Sequence, residues 1–200
     1  MKKHNILPAL LAFFGIALIA CALAFTALWY VSQTRAMENI GATVSSIESL
    51  MPTVYPAFPD DISNTAMPAV QVGSKDFVGI VEFPAVSEAL PIYARWDKKE
   101  TANHPCRFFG NTASRDLIIG GSDNRGQLDF INDINMGDEV IVTDMTGGAY
   151  SYRITYVERM KDASYESLTV READLVVFAK NTYSLDFTVV FCEMDFKTEP

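Results

Sequence analysis

The sequence predicts a mainly β domain, a small barrel or sandwich, carried behind one N-terminal membrane-spanning helix. Three observations predict it. Residues 6–31 are predominantly apolar and carry no charge. From Lys75 onward, apolar residues recur with period two in short stretches, the pattern of half-buried strands. Gly, Pro, Asn and Asp separate those stretches, as turns require. With 49% apolar and 12% aromatic residues among 200, the bulk of the chain can fill a core and is not disordered.

Taken in order, residues 1–5 form a short cytoplasmic head containing Lys2 and Lys3. The apolar run 6–31 has 26 residues, and about 20 cross the hydrocarbon of a bilayer. Pro8 falls in the first turn, where proline is tolerated. Trp29 and Tyr30 fall at the far end, where interfacial aromatics gather. Only Arg35 closely follows the run, so the positive-inside rule leaves the N-terminus in the cytoplasm and residues 32–200 outside. A cleaved signal peptide is the rival reading, but its apolar core usually runs only ~7–15 residues. Leu18-Ile19-Ala20-Cys21 also resembles a lipobox that would lipidate Cys21, although ten mostly apolar residues follow it. All three readings place the domain outside.

Met37, Ile40, Val44, Ile47 and Met51 are spaced 3, 4, 3, 4, a helical stripe that Pro52 stops. It fits a short dimerising coil, or a helix packed on the domain or the lipid surface. Two heptads are too few for a coiled coil, which favours packing. Pro52, Pro56, Pro59 and Pro68 then punctuate a linker that ends at residue 74, so 32–74 reads as stalk and linker.

The domain itself is predicted over 75–195, followed by a tail at 196–200. Strands are expected at 77–83, 90–94, 117–119, 140–143, 150–156, 175–178 and 187–191. The Gly- and Asp-containing stretch 144–148 predicts a hairpin turn. Phe130, Ile131 and Ile134 predict one helical turn, and Tyr150, Tyr152 and Tyr156 one side of a strand.

Charge excludes whole classes of function. The chain carries a net −9, and beyond residue 37 it holds 13 basic against 25 acidic residues. Nucleic acid needs clustered Lys and Arg, and so does electrostatic adhesion to anionic lipid. No cofactor is expected. Asp129, Asp133, Asp138 and Glu139 lack the spacing of a calcium loop, so no metal is expected either.

Several stretches carry a family resemblance. Val78-Gly79-Ile80-Val81-Glu82-Phe83-Pro84 followed by Leu90-Pro91-Ile92-Tyr93 resembles the opening of the sortases, the transpeptidases that join proteins to Gram-positive cell walls. Pro105-Cys106-Arg107 lies in a stretch similar to one in class B-like clostridial sortases. Asp116-Leu117-Ile118-Ile119 resembles the strand leading to the catalytic histidine, and Gly137-Asp138 with Val140 a strand start. Asp174-Leu175-Val176-Val177-Phe178 resembles the strand leading to the catalytic cysteine. The order and spacing of these motifs, over about 76–193, imply a sortase-like β-barrel.

The resemblance also implies a site in which a cysteine thiolate attacks, a histidine moves protons and an arginine stabilises the oxyanion. Run without gaps, the motifs put Ser122 at the histidine position, Lys180 at the cysteine position and Phe187 at the arginine position. None of these can do the family's chemistry. The expected protein is therefore a degenerate sortase: a membrane-anchored, extracellular, non-catalytic binding or regulatory module in surface-protein or pilus assembly. Its implied partners are a peptide or sorting signal, or another sortase.

The alternative is an active transpeptidase or hydrolase. Ser122 and Lys180 could form a nucleophile–base dyad if the lysine were desolvated, or Cys106 could act with His104. Cys106 and Cys192, the two cysteines beyond the apolar run, could instead form a disulfide or remain buried thiols.

Overall fold

The computed structural model describes residues 6–51 and 67–195. Residues 1–5, 52–66 and 196–200, with the predicted head, Pro52, Pro56, Pro59 and the tail, lie outside the described residues, as do the side chains of Trp29, Tyr30, Arg35 and Met37. The chain forms two units, 1–38 and 39–200. The first belongs to α1 (Ile6–Leu50), which also enters the second. Along it Phe14, Ile19, Phe25 and Leu28 are 62–72% exposed. Among the described residues no helix is long and apolar enough to cross a membrane, and within the predicted span only the side chains of 14–28 are described.

The second unit is a closed β-barrel. Its strands are β1 (Val70–Val72), β2 (Lys75–Phe83), β3 (Glu88–Tyr93), β4 (Cys106–Phe109), β5 (Leu117–Ser122), β6 (Glu139–Asp144), β7 (Ala149–Met160), β8 (Leu175–Lys180) and β9 (Phe187–Met194). Their order is β1-β2-β3-β4-β5-β8-β9-β7-β6, and β2 also pairs with β6, so eight strands close and β1 lies outside β2. Most pairs are antiparallel, while β3–β4 and β5–β8 run parallel. Gly79 makes the β2–β6 joint possible: a Cβ there would lie 2.5 Å from the Thr143 carbonyl oxygen. Only glycine admits that approach.

The sheet begins earlier than predicted. Val70–Val72 folds back on β2 through Gly73-Ser74, with Gly73 at φ +63°, as a tight hairpin turn requires. A paired strand therefore lies within the stretch read as linker. The hairpin at 144–148 forms as its sequence predicts. Asp144 pins it, accepting the Thr146 and Gly148 amides at 2.8 and 3.2 Å.

Alternation sorts each strand into two faces. Leu117, Ile119, Leu175, Val177, Val190 and Cys192 point into the barrel. Ile118, Val176, Phe178, Val189 and Phe191 point outward, into a second cluster capped by Leu168 of α2 (Tyr165–Leu168). Ser164 caps α2 by accepting the Ser167 amide at 3.3 Å. The tyrosines do not share one side as predicted. Tyr152 points inward and is fully buried, but a bulge between Ile154 and Tyr156 sets Tyr156 opposite outward-facing Phe191.

Residues 77–81 are buried in succession, so β2 is covered on both faces. Ile40, Val44 and Ile47 of α1 join the same core cluster, and Met51 packs against it. The stripe is thus a packing face within the domain.

Candidate functional site

Ser122, Lys180 and Phe187 fall in one row. Ser122 pairs with Lys180 across the parallel β5–β8 ladder, and Lys180 pairs with Phe187 across the antiparallel β8–β9 ladder. Register partners share a face, and this one is the outward face of Phe178 and Val189. β5 and the β8–β9 hairpin, far apart in sequence, thus bring the three side chains to one end of three adjacent strands.

The connection behind the row is stitched down. The Asn181 amide donates to the Asp186 carbonyl at 2.8 Å, and the Thr182 amide to the Asp123 carboxylate at 2.8 Å. Hydrogen bonds from Ser184 and Asn181 hold the Asp186 carboxyl below the usual carboxylate range. Tyr183 is 97% exposed at the tip of this loop.

No member of the row shares a side-chain hydrogen bond with another among the described residues. The Ser122 hydroxyl donates to the Thr101 carbonyl at 3.0 Å. Lys180 is exposed and forms no ion pair among the described residues, so Asp123 and Asp186 do not hold it. A lysine acts as a base when it is withdrawn from water, which exposure denies it. Phe187 is half-buried, its ring centroid 6.1 Å from that of Phe178.

The face beside the row is filled by aromatic rings. The Phe178 ring lies over Gly120, where an added Cβ would sit 2.2 Å from it. Trp96 packs at 5.6 Å from Phe178 and 4.9 Å from Phe108, which is itself 5.6 Å from Phe178. These edge and tilted arrangements are favourable ring geometries.

The cysteines do not bond to each other. Both are free and buried, and β5 and β8 separate β4 from β9. Nor do Cys106 and His104 form an activated pair. The Cys106 thiol lies 3.4 Å from the His104 backbone carbonyl. Burial pushes the thiol up to about 11, the reverse of nucleophile activation. Burial, with Lys75 nearby, pushes His104 down to about 4, and its Nδ1 has no hydrogen-bond partner among the described residues.

Among the described residues no three His, Cys, Asp or Glu side chains gather as a metal site. Of the acids read from the sequence, Asp138 accepts the Asn135 amide and Glu139 the Ser151 hydroxyl.

The cavity on the outward face lies at the other end of β5 and β8. It has a volume of about 610 Å³. Ile118, Val176 and Leu168 form its apolar part, with Phe109 and Tyr165 beside them, their centroids 4.7 Å apart. Arg115 grips Asp174 with two N–H groups at 2.9 Å. Burial pushes the Asp174 carboxyl up, but the hydrogen bonds from Arg115 and the Met194 amide outweigh it and leave it below the usual range. Sequence reasoning missed this site. Its local signals are Asp116 and Asp174, which open the two motif strands, and Ser164, a capping residue ahead of a four-residue helix.

The architecture is sortase-like. Sortase A from Corynebacterium diphtheriae matches with a TM-score of 0.54 at 13% identity, over 84% of this chain and 86% of that one. The type II crystal structure of Streptococcus agalactiae sortase C1 matches with 0.53 at 17% identity, over 85% and 93%. A second sortase C1 structure from S. agalactiae gives 0.53 at 14%, over 62% and 70%. At such identities the likeness is one of fold. No family model matches the chain, and no curated protein matches it in sequence.

Proposed function

We propose that this chain is a membrane-anchored, extracellular sortase-like module that binds a surface protein or another sortase without cleaving it. The observation that carries this reading is the row Ser122–Lys180–Phe187, aligned in register on a sortase-like barrel and lacking thiol, imidazole and guanidinium. A fold is held by packing and an activity by its site, so the frame can outlast the chemistry. By filling the face beside the row, the rings of Phe178, Trp96 and Phe108 support the non-catalytic part of this reading.

The anchor is part of the proposal. The exposed apolar side chains along 14–28 suit a lipid surrounding, and the uncharged stretch 6–31 is long enough to span it. Lys2 and Lys3 favour a cytoplasmic N-terminus and an outer domain.

The active alternative, through Ser122/Lys180 or Cys106, finds little support in exposed Lys180 and in a Cys106 thiol pushed upward by burial. The test is to incubate the full chain, in nanodiscs, with a sorting-signal peptide and an amine acceptor. No cleaved or transferred peptide above the protein-free control is expected. Product that disappears in Cys106→Ala or Lys180→Ala would overturn the proposal.

A further inference from the structure

The cavity between α2 and the first residues of β5 and β8 is separate from the row. Ile118 and Ser122 are four residues apart on β5, about 13 Å along the strand, with Gly120 and the overlying Phe178 ring between them. Its volume falls within the range of ligand-binding clefts.

The charges around it are unequally committed. Arg115 is bound by Asp174. Arg171 lies 3.8 Å over the Tyr156 ring and 3.5 Å from Glu158. Asp116 accepts the Asn111 amide at 3.0 Å and the Ser114 hydroxyl, and Asp174 accepts the Met194 amide at 2.7 Å. Glu172 and Glu193 remain, both exposed, lining the cavity without an ion pair among the described residues. Both cations are thus occupied while two carboxylates are not. Beside them Phe109 and Tyr165 are 41% and 43% exposed, surfaces against which an aliphatic stem or a cation packs favourably.

We propose that this cavity receives a lysine or arginine side chain of an extended partner polypeptide. Glu172 and Glu193 pair with its charge, and Tyr165 and Phe109 flank its stem. The inference rests on the binding-module reading and names what the module selects. Charge complementarity chooses the occupant: an acidic segment would meet two uncompensated carboxylates, and an apolar one would leave both unpaired.

The test uses an array of hexapeptides varied singly at each position and probed with the labelled full chain in nanodiscs. Peptides carrying Lys or Arg at one position are expected to be retained over their Gln counterparts, by about tenfold at low salt for two exposed charge pairs. Glu172→Gln/Glu193→Gln is expected to erase the preference at an unchanged melting temperature, and Lys98→Ala, at an exposed cation outside both the cavity and the row, to leave it intact. Binding without cation preference, preference that survives the double substitution, or no peptide retained would each overturn the inference. None of these outcomes produces a cleaved or transferred peptide, so the non-catalytic reading is judged separately.

Discussion

Ser122 and Lys180 stand opposite each other across the β5–β8 ladder, yet the serine hydroxyl is given to the Thr101 carbonyl and the lysine amine to solvent. Adjacency without a shared hydrogen bond defines a paired position rather than a working pair. The loop bearing Thr101 takes the proton donor that a nucleophile would need to keep for its base.

Substitution of these two residues should therefore separate. Ser122→Ala removes one hydrogen bond to a backbone carbonyl and is expected to cost about 1 kcal/mol of stability. Lys180→Ala, at an exposed site, is expected to stay within about 0.5 kcal/mol of the parent. Denaturant titrations of the two variants check both values. Equal losses would show that Lys180 carries an interaction of its own.

Gly120→Ala forces a methyl group into the Phe178 ring, which Trp96, Phe108 and Phe187 surround. The ring has little room to retreat, and overpacking of this kind costs roughly 1–3 kcal/mol. Phe178→Leu in the same chain should recover part of that loss. A double-mutant cycle measured by thermal unfolding gives the coupling, and purely additive losses would contradict the packing described.

Buried His104 makes stability depend on pH. Its folded value near 4 lies below the ordinary value of 6.5, so between them the unfolded chain binds a proton that the folded chain refuses. Stability from this group is complete above about pH 6.5 and is lost as pH falls toward 4. His104→Phe keeps an aromatic ring beside Phe77, whose centroid lies 5.3 Å away, and should flatten that part of the profile. Parallel pH–stability curves for parent and variant between pH 4 and 6.5 would contradict the burial of His104.

The two thiols of the barrel predict a protein indifferent to reductant. Cys106 and Cys192 are free, and burial raises both. Melting temperatures with and without dithiothreitol should coincide, and thiol reagents at pH 7–8 should label neither cysteine until the barrel unfolds. A melting temperature that drops on reduction would imply a bond between them.

Much of the barrel was legible because alternation is a local signal. Phe77 to Phe83 and Phe187 to Phe191 announce strands by themselves, and the hairpin after Asp144 announces its turn. The three-residue β1 and four-residue α2 are too short for any period to show. The bulge before Tyr156 was hidden, since the tyrosines keep their spacing while the pairing slips by one residue. The row was reachable only through the order of motifs: no single strand reveals that Lys180 faces both Ser122 and Phe187. The cavity was not reachable, because its lining comes from segments around Phe109, Arg115, Tyr165, Arg171 and Glu193 that meet only after folding.

The joints of the barrel are not equally strong. β7 and β9 are laced along most of their length, whereas β3 and β4 share the single bridge Tyr93–Cys106, with a further hydrogen bond from the Tyr93 amide to the Pro105 carbonyl. Such a cylinder splits at its weakest stave. Amide protons flanking that seam should exchange with solvent through local opening long before those of the β7–β9 ribbon, which report global unfolding.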